Sequence, residues 1–181
     1  MSYPLREFSD VALPFRISAD IQDHKGLLLL SFRLEGDLDS ILFPSPVAKP
    51  QTEDGLWQST CCEVFLRWAG QSAYEEWNFS PSGNWAHYGF QSYRERTESW
   101  QPKTLSVPVH TKLTRQLFEL EVGVERPMSR GDVSGLVEYS LTAVVQEKNE
   151  ERHYWALTHA GQKPDFHDAR SFIGKLNLRS F

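Results

Sequence analysis

The feature that most constrains the fold is a two-residue alternation of apolar and polar side chains, in short runs that end at turn residues. In a β-strand, successive side chains point to opposite faces, so this period places the apolar side chains of one run on one face. The run 62–68 shows the pattern and ends at Ala69-Gly70, and the run 117–124 repeats it. The alternation therefore predicts strands that are buried on one side.

Runs of this kind are spread along the chain. The predicted strands are 27–34, 62–68, 74–79, 85–90, 117–124, 138–145, 153–158 and 173–178. The turn Ser80-Pro-Ser-Gly83 predicts a hairpin of 74–79 with 85–90, and Lys148-Asn-Glu150 predicts one of 138–145 with 153–158. One turn of helix is expected at 112–116 or 72–76. Strands at this spacing predict an all-β sandwich or barrel, with the strand order left open.

Composition agrees with an all-β chain of one domain. The 181 residues suit a single domain, 1–181, and no linker or internal repeat divides them. Aromatic residues make up 13% of the chain, which favours strands over long helices. Because the net charge is −5, the chain lacks the positive surface that binds phosphate backbones, and nucleic acid is not an expected partner.

The N-terminus, the apolar stretches and the cysteines predict a location. Residues 1–20 lack a basic start followed by an apolar run, so no signal peptide is predicted. The longest apolar stretch, 27–30, is too short to span a bilayer, so no membrane partner is expected. Cys61 and Cys62 are adjacent, point to opposite faces of a strand and cannot readily pair. Together these features predict a cytoplasmic protein.

The densest group of polar and aromatic residues lies between positions 57 and 93. It includes Trp57, Glu63, Asn78 and Asn84. An aromatic ring packs on the apolar face of a sugar, while carboxylates and amides bind its hydroxyl groups. The group therefore predicts a carbohydrate site. In the alternative interpretation, Trp57 only caps the core and Glu63 lies on a solvated strand face.

A second polar group lies in the loop 158–168. It contains His159, Lys163, Asp165, His167 and Asp168. The two histidines and the two aspartates are candidate metal ligands, and the loop is also a candidate source of acid–base groups. The alternative is a polar turn between two strands. The spacing does not match familiar zinc sites, and calcium binding by Asp165 and Asp168 is no better supported. We therefore expect no metal.

Motifs of the common enzyme classes are lacking from the sequence. It contains no Gly-x-Ser-x-Gly elbow, no phosphate-binding glycine loop and no His-Glu-x-x-His. Two catalytic arrangements stay open. Cys61 or Cys62 with His159 is a nucleophile–base pair, and Glu63 with Asp165 is a glycosidase-like carboxylate pair. Free cysteines are more often buried apolar residues.

Two motifs resemble a known family. The segment Trp57-x5-Glu63-Val-Phe-Leu, followed by Asn78-Phe-Ser-Pro-Ser-Gly-Asn-Trp, resembles bacterial DOMON-like proteins related to family 9 carbohydrate-binding modules. The segments 155–159, 163–167 and 172–178 resemble the tail of the same group. With the strand pattern, the resemblance implies an antiparallel β-sandwich of immunoglobulin-like or jelly-roll-like type. Its ligand would lie near one end or face.

The resemblance also implies roles for individual residues. In the sugar-binding members, two aromatic rings clamp a sugar with the help of polar side chains. Trp57 matches the first ring and Glu63 matches a hydroxyl acceptor, with Asn78 and Asn84 as weaker matches. The second ring is Trp155 or Phe166.

The leading hypothesis is a non-catalytic module that binds a carbohydrate, such as an oligosaccharide, or a similar small polar ligand. The first alternative is a small carbohydrate-active enzyme that uses Glu63, His159, Asp165 and His167. The second is a carrier of haem or of a hydrophobic ligand. The third is a flat aromatic face for a protein partner or a homodimer, and the oligomeric state is open.

The haem alternative depends on the iron ligands that the chain offers. The only methionines are Met1 and Met128, which makes ligation by methionine improbable. Two histidines, for example His87 and His159, are the remaining ligands. The leading hypothesis requires no cofactor.

Overall fold

The computed structural model describes residues 2–127 and 135–178, and within them the protein is built from β-strands. The two methionines considered as haem ligands, Met1 and Met128, lie outside these residues. The strands are β1 (Tyr3–Pro4), β2 (Arg6–Glu7), β3 (Phe15–His24), β4 (Leu27–Gly36), β5 (Cys61–Trp68), β6 (Tyr74–Phe79), β7 (Trp85–Ser92), β8 (Glu95–Arg96), β9 (Val107–Leu113), β10 (Leu117–Glu125), β11 (Gly135–Gln146), β12 (Arg152–Ala156) and β13 (Gly174–Leu178). Single 3-10 turns span Leu56–Gln58 and Ala169–Ser171.

The strands form two antiparallel sheets. The smaller sheet has the order β1-β3-β4-β10-β9, and the larger has the order β2-β12-β11-β5-β6-β7-β8. Strand β13 pairs with the first half of β11, while β12 pairs with its second half. The prediction of an all-β antiparallel sandwich is therefore confirmed, and it replaces the barrel alternative.

The main core lies between the two sheets, where alternate residues of each long strand meet. In the smaller sheet, β4 contributes Leu28, Leu30, Phe32 and Leu34. The larger sheet contributes, among others, Val64, Leu66, Trp77 and Leu141. Full burial of one such side chain is worth about 1.5–3 kcal/mol, so the alternation largely fixes which face of each strand turns inward. The face of the larger sheet that points away from this core is its outer face.

The eight predicted strands correspond to β4, β5, β6, β7, β10, β11, β12 and β13, and both predicted hairpins form. The predicted helical turns are wrong. Residues 112–116 contain the end of β9 and the turn to β10, and β6 begins within 72–76. Strands β3 and β9 were not predicted from the sequence.

The cysteines lie as their adjacency predicts. Cys62 is in the main core, whereas Cys61 belongs to a small cluster with Leu56 and Ala86. Both thiols are free and buried. Among the described residues, no helix has the length and apolar character needed to cross a membrane.

Candidate functional site

A cavity of about 310 Å³ lies on the outer face of the larger sheet, and we call it the outer-sheet cavity. Strand pairing places Glu63 of β5 opposite Asn78 of β6, and Phe65 opposite Glu76. Because Val64 lies in the core, its neighbours on β5 point to the outer face. The cavity is lined by Trp57, Glu63, Phe65, Glu76, Phe90, Arg94, Arg96, Val144, Tyr154, Pro164, Phe166 and His167.

Trp57 lies at one side of the cavity on the 3-10 turn Leu56–Gln58, whose first residue is buried. Its indole remains 37% exposed, which is high for so large an apolar side chain. The ring contacts Tyr88 edge-on, with centroids 5.9 Å apart. The guanidinium of Arg96 lies 4.3 Å from the centroid of Tyr88 and 5.9 Å from that of Trp57. Trp57 therefore offers aromatic surface beside a fixed positive charge.

Phe166 lies at another side of the cavity, in the loop after β12. Its ring is 6.4 Å from Phe65 and 6.1 Å from Tyr154, centroid to centroid. The preceding residue, Asp165, accepts hydrogen bonds from the Tyr93 hydroxyl at 2.6 Å and from the Arg94 guanidinium at 2.8 Å. These bonds fasten the loop to the connection between β7 and β8. The resemblance offered Trp155 or Phe166 as the second aromatic ring of the site, and of these two Phe166 lines the cavity.

Glu63 lies on the strand-borne part of the cavity lining and is only 2% exposed. Its Oε2 accepts a hydrogen bond from the Thr142 hydroxyl at 3.1 Å, whereas its Oε1 is buried and has no hydrogen-bond partner among the described residues. Burial raises the pKa of Glu63 well above its ordinary value, and the nearby Glu76 adds to the effect. A buried oxygen without a partner is uncommon, and a donor from a ligand or from a water molecule would satisfy it.

Glu76 lies beside Glu63 on the next strand. Burial raises its pKa to about 7, although the Asn78 amide donates to Oε1 at 2.7 Å and opposes the shift. Asn78 is completely buried, and its side chain positions Glu76. Two buried carboxyl groups this close do not both ionise easily, so the pair retains a proton near neutral pH.

His167 is a further titratable group in the cavity lining. Its Nδ1 shares a hydrogen bond with the Tyr74 hydroxyl at 2.8 Å, and its Nε2 lies 3.7 Å from Oε2 of Glu76. Burial lowers the pKa of His167 to about 4, and the guanidinium of Arg94 adds to the shift. The imidazole is therefore neutral at pH 7. The cavity combines aromatic surface, two carboxyl groups with raised pKa values and two guanidinium groups, which suits ligands rich in hydroxyl groups.

Two other predicted site residues lie away from the outer-sheet cavity. Trp155 points to the opposite face of β12, is 6% exposed and packs against Phe15 in the core, with centroids 5.7 Å apart. Asn84 lies in the β6–β7 turn, accepts a hydrogen bond from the Gln51 amide at 3.0 Å and donates one to Glu53. Asn84 therefore holds the preceding loop against the hairpin.

The loop residues offered as metal ligands or acid–base groups have separate partners. His159 donates from Nε2 to the Arg6 carbonyl at 2.9 Å. Asp168 caps the 3-10 turn Ala169–Ser171 and binds the Arg170 side chain, and Lys163 is exposed. Of these loop residues, only His167 lines the outer-sheet cavity, while Asp165 is bound to Tyr93 and Arg94. The catalytic quartet of Glu63, His159, Asp165 and His167 is therefore not assembled there as a set.

Two further alternatives, a nucleophilic cysteine and a haem ligated by His87, find little support in the geometry. Burial raises the pKa of the Cys61 thiol, whereas a nucleophilic cysteine needs a lowered pKa, and Cys62 faces the core. Both ring nitrogens of His87 are engaged, Nε2 with Glu75 at 3.0 Å and Nδ1 with the Lys103 amide at 3.0 Å. His87 therefore has no nitrogen free for a haem iron.

Several cavity residues escaped the sequence analysis, namely Phe65, Glu76, Phe90, Arg94, Arg96 and Tyr154. The first two had a usable signal, because Glu63, Phe65 and Glu76 share one face once β5 and β6 are paired. Arg94 and Arg96 gave no signal, since they lie beyond the end of β7.

A larger cavity of about 510 Å³ lies beyond Arg96 and Tyr88, and its lining includes Trp100 and Pro102. Arg96 borders both cavities. The outer-sheet cavity is the better candidate, because it contains the buried carboxyl pair with shifted pKa values and the unsatisfied oxygen of Glu63.

No protein family model matches the sequence, and no curated protein matches it either. Solved structures do match in fold. A putative carbohydrate-binding protein from Bacteroides uniformis superposes with a TM-score of 0.69 at 17% identity, over 99% of this chain and 86% of that chain.

A family 9 carbohydrate-binding module from Caldicellulosiruptor kristjanssonii matches in two complexes. The complex with cellotriose gives a TM-score of 0.60 at 10% identity, over 100% of this chain and 83% of the module. The complex with glucose gives 0.56 at 9% identity, over 95% and 81%. At these identities the likeness concerns the fold, and the chain shares its β-sandwich with known carbohydrate-binding proteins.

Proposed function

We propose that the protein is a non-catalytic carbohydrate-binding module whose ligand occupies the outer-sheet cavity. One observation carries the proposal. The cavity brings the exposed ring of Trp57 together with the buried Oε1 of Glu63, which lacks a hydrogen-bond partner among the described residues. A sugar satisfies both at once, because its C–H face packs on the indole while a hydroxyl group donates to the carboxyl oxygen.

The other cavity residues fit the same ligand. Phe166 offers a second aromatic surface, and its neighbours differ from those of Trp57, so the two rings contact different parts of a ligand. Arg94 and Arg96 supply donors for sugar oxygens. The carbohydrate-binding names of the structural neighbours agree with this proposal.

The size of the cavity sets the expected ligand and affinity. A volume of about 310 Å³ lies at the small end of ligand sites and suits one or two sugar units. Because such a ligand buries little area, we expect dissociation constants between about 1 μM and 1 mM. We also retain, as proposals, that the chain is one DOMON-like domain and that it works in the cytoplasm.

A glycan array followed by calorimetry tests the proposal. We expect Trp57→Ala to abolish binding of the sugar that the array selects, because the aromatic face is lost. Leu29→Ala is the matched control, since Leu29 is 38% exposed on the smaller sheet and its loss leaves the outer-sheet cavity intact. If neither the array nor calorimetry with mono- and oligosaccharides detects binding, the proposal fails.

The buried carboxyl pair favours a second candidate, a small carbohydrate-active enzyme. Two carboxyl groups, one of them protonated near pH 7, are what acid–base hydrolysis of a glycoside requires. In this enzyme, the acid–base groups are Glu63 and Glu76, in place of the quartet of Glu63, His159, Asp165 and His167 expected from the sequence. Incubation of the selected glycan with the protein decides between the candidates: product that disappears in Glu76→Gln supports the enzyme, and unchanged glycan supports the binding module.

A further inference from the structure

The hairpin between β11 and β12 carries a cluster of metal-ligating side chains that includes no residue of the loop 158–168. Glu147, Glu151 and His153 each place one ligand atom within 4.8 Å of the other two. Glu147 follows β11 directly and His153 lies in β12, so the hairpin itself brings them together. The turn is closed by hydrogen bonds from the Glu147 amide to the Glu151 carbonyl at 2.8 Å and from the Glu150 amide to the Glu147 carbonyl at 2.9 Å.

His153 provides an independent sign of a ligand. It is 4% exposed, and its Nε2 is buried without a hydrogen-bond partner among the described residues. The nearest acidic oxygen, Oε1 of Glu147, lies 3.8 Å away, which is too far for a hydrogen bond. Two ligands bound to one tetrahedral ion at about 2.1 Å lie about 3.4 Å apart. The gap between these two atoms therefore nearly matches the space for a metal ion.

We propose that Glu147, Glu151 and His153 form a binding site for a divalent transition-metal ion of the zinc class. An imidazole with two carboxylates selects zinc, nickel or cobalt over calcium and magnesium, which prefer oxygen ligands alone. The Ser40 hydroxyl donates to Oε1 of Glu147 at 3.0 Å and so orients that ligand. Oε1 of Glu7 lies 3.7 Å from Nδ1 of His153, which is a charge contact and not a hydrogen bond.

The place of the cluster in the fold points to a structural role for the ion. The turn is tied to the preceding loop by bonds from the Leu42 amide to the Gln146 carbonyl and from the Lys148 amide to the Ser40 carbonyl, both at 2.8 Å. Arg152 donates to the Gln58 carbonyl at 3.0 Å, next to Trp57. An ion at the cluster therefore stabilises the hairpin whose other residues, Val144 and Tyr154, line the outer-sheet cavity.

Calorimetry with zinc chloride on tag-free protein, stripped with chelator, tests the site. We expect one ion per chain and at least about tenfold weaker binding for both His153→Gln and Glu151→Gln. Zinc should also raise the midpoint of thermal unfolding of the native protein, but not that of Glu151→Gln. Because Glu151 is exposed, Glu151→Gln should keep its fold, so it tests the site even if His153→Gln unfolds.

Glu150→Gln is the matched control, since it removes an exposed carboxylate from the same turn but lies outside the cluster, and it should bind zinc as the native protein does. Cobalt(II) provides a second readout, because the visible absorption of the bound ion reports its coordination. The proposal is overturned if zinc fails to bind saturably, or if Glu151→Gln and a folded His153→Gln bind it as tightly as the native chain. Sugar binding is measured separately, so failure here leaves the proposed carbohydrate function untouched.

Discussion

Glu63 and Glu76 are buried side by side on neighbouring strands of the larger sheet, where water solvates neither group fully. Their charges repel, and ionisation of one makes ionisation of the other more costly. A carboxyl pair that retains a proton offers both a hydrogen-bond donor and hydrogen-bond acceptors. Such a pair suits sugar hydroxyl groups, which themselves do both.

The raised pKa of Glu76 predicts how stability depends on pH. Between about pH 4.5 and pH 7 the folded protein holds a proton that the unfolded chain has released, so the free energy of unfolding falls as the pH rises through this window. Glu76→Gln removes the contribution of Glu76 to this dependence, while the burial of Glu63 remains. As the pH rises through the window, the free energy of unfolding of the variant, measured with urea, should therefore increase relative to that of the native protein by on the order of 1–3 kcal/mol.

The controls for this measurement lie elsewhere in the chain. The lowered pKa of His167 acts in the opposite direction, since its stabilisation is lost as the pH falls from about 6.5 to about 4, but it is present in both proteins and cancels. Glu121→Gln, an exposed substitution on β10, should show a constant difference from the native protein. A constant difference for Glu76→Gln as well would contradict the raised pKa.

Alanine substitutions of Trp155 and Phe166 should have opposite effects on the free energy of unfolding and on sugar binding. Trp155→Ala opens a hole in the main core and should cost about 3–5 kcal/mol of the free energy of unfolding. Phe166→Ala removes a half-buried ring from the cavity lining, so it should weaken sugar binding and destabilise the fold much less. Denaturant unfolding and calorimetry on both variants check this. Equal losses of stability would contradict the placement of the two rings.

At the scale of elements, the loop that carries Phe166 depends on its attachment to the β7–β8 connection. Asp165 forms an ion pair with Arg94 at 2.8 Å, and the pair is partly exposed. Breaking such a pair costs up to about 1 kcal/mol, which corresponds to about fivefold weaker ligand binding if the loop must be ordered to bind. We therefore expect Asp165→Asn to weaken sugar binding about fivefold with little change in global stability.

Asp39→Asn is the control for this prediction, because it breaks a comparable exposed ion pair with Arg115 at 2.7 Å, away from the outer-sheet cavity. It should leave sugar affinity unchanged. Calorimetry gives the affinities, and limited proteolysis reports whether the loop is cleaved faster in Asp165→Asn. Unchanged affinity and unchanged cleavage would show that the ion pair does not hold the loop.

The strands that the sequence predicted are those in which strong apolar alternation meets a clear turn, such as β6 and β7 around Ser80-Pro-Ser-Gly83. The missed strand β3 also alternates, with Phe15, Ile17, Ala19 and Ile21 turned inward, but small and polar residues weaken the pattern. Strand β9 is mostly exposed, so its sequence contains little apolar signal. Burial of one face is what makes a strand visible in a sequence.

The candidate site could be predicted only in part. Trp57 and Glu63 were found because their residue types and their family resemblance stand out locally. Trp155 matched the same local criterion, but the side to which β12 turns it depends on the pairing of whole strands. Phe166 and Arg94 line one cavity because two loops pack against each other, and the residue pattern within either loop does not encode that packing.

At the scale of the whole molecule, the sandwich separates stability from recognition. Its main core fills the space between the sheets, while the proposed ligand site uses the outer face of the larger sheet. The same strands serve both, with alternate residues for each purpose. Substitutions on the outer face should therefore change binding more than folding, and substitutions on the inner face should do the reverse.

The most direct test of the central claim follows the indole N–H signals of the six tryptophans by NMR during titration with the sugar that the glycan array selects. The Trp57 signal should shift and saturate. The signals of Trp77 and Trp155, both buried in the main core, should stay in place. A saturable shift of Trp100, in the larger cavity, with an unmoved Trp57 would contradict the proposed site.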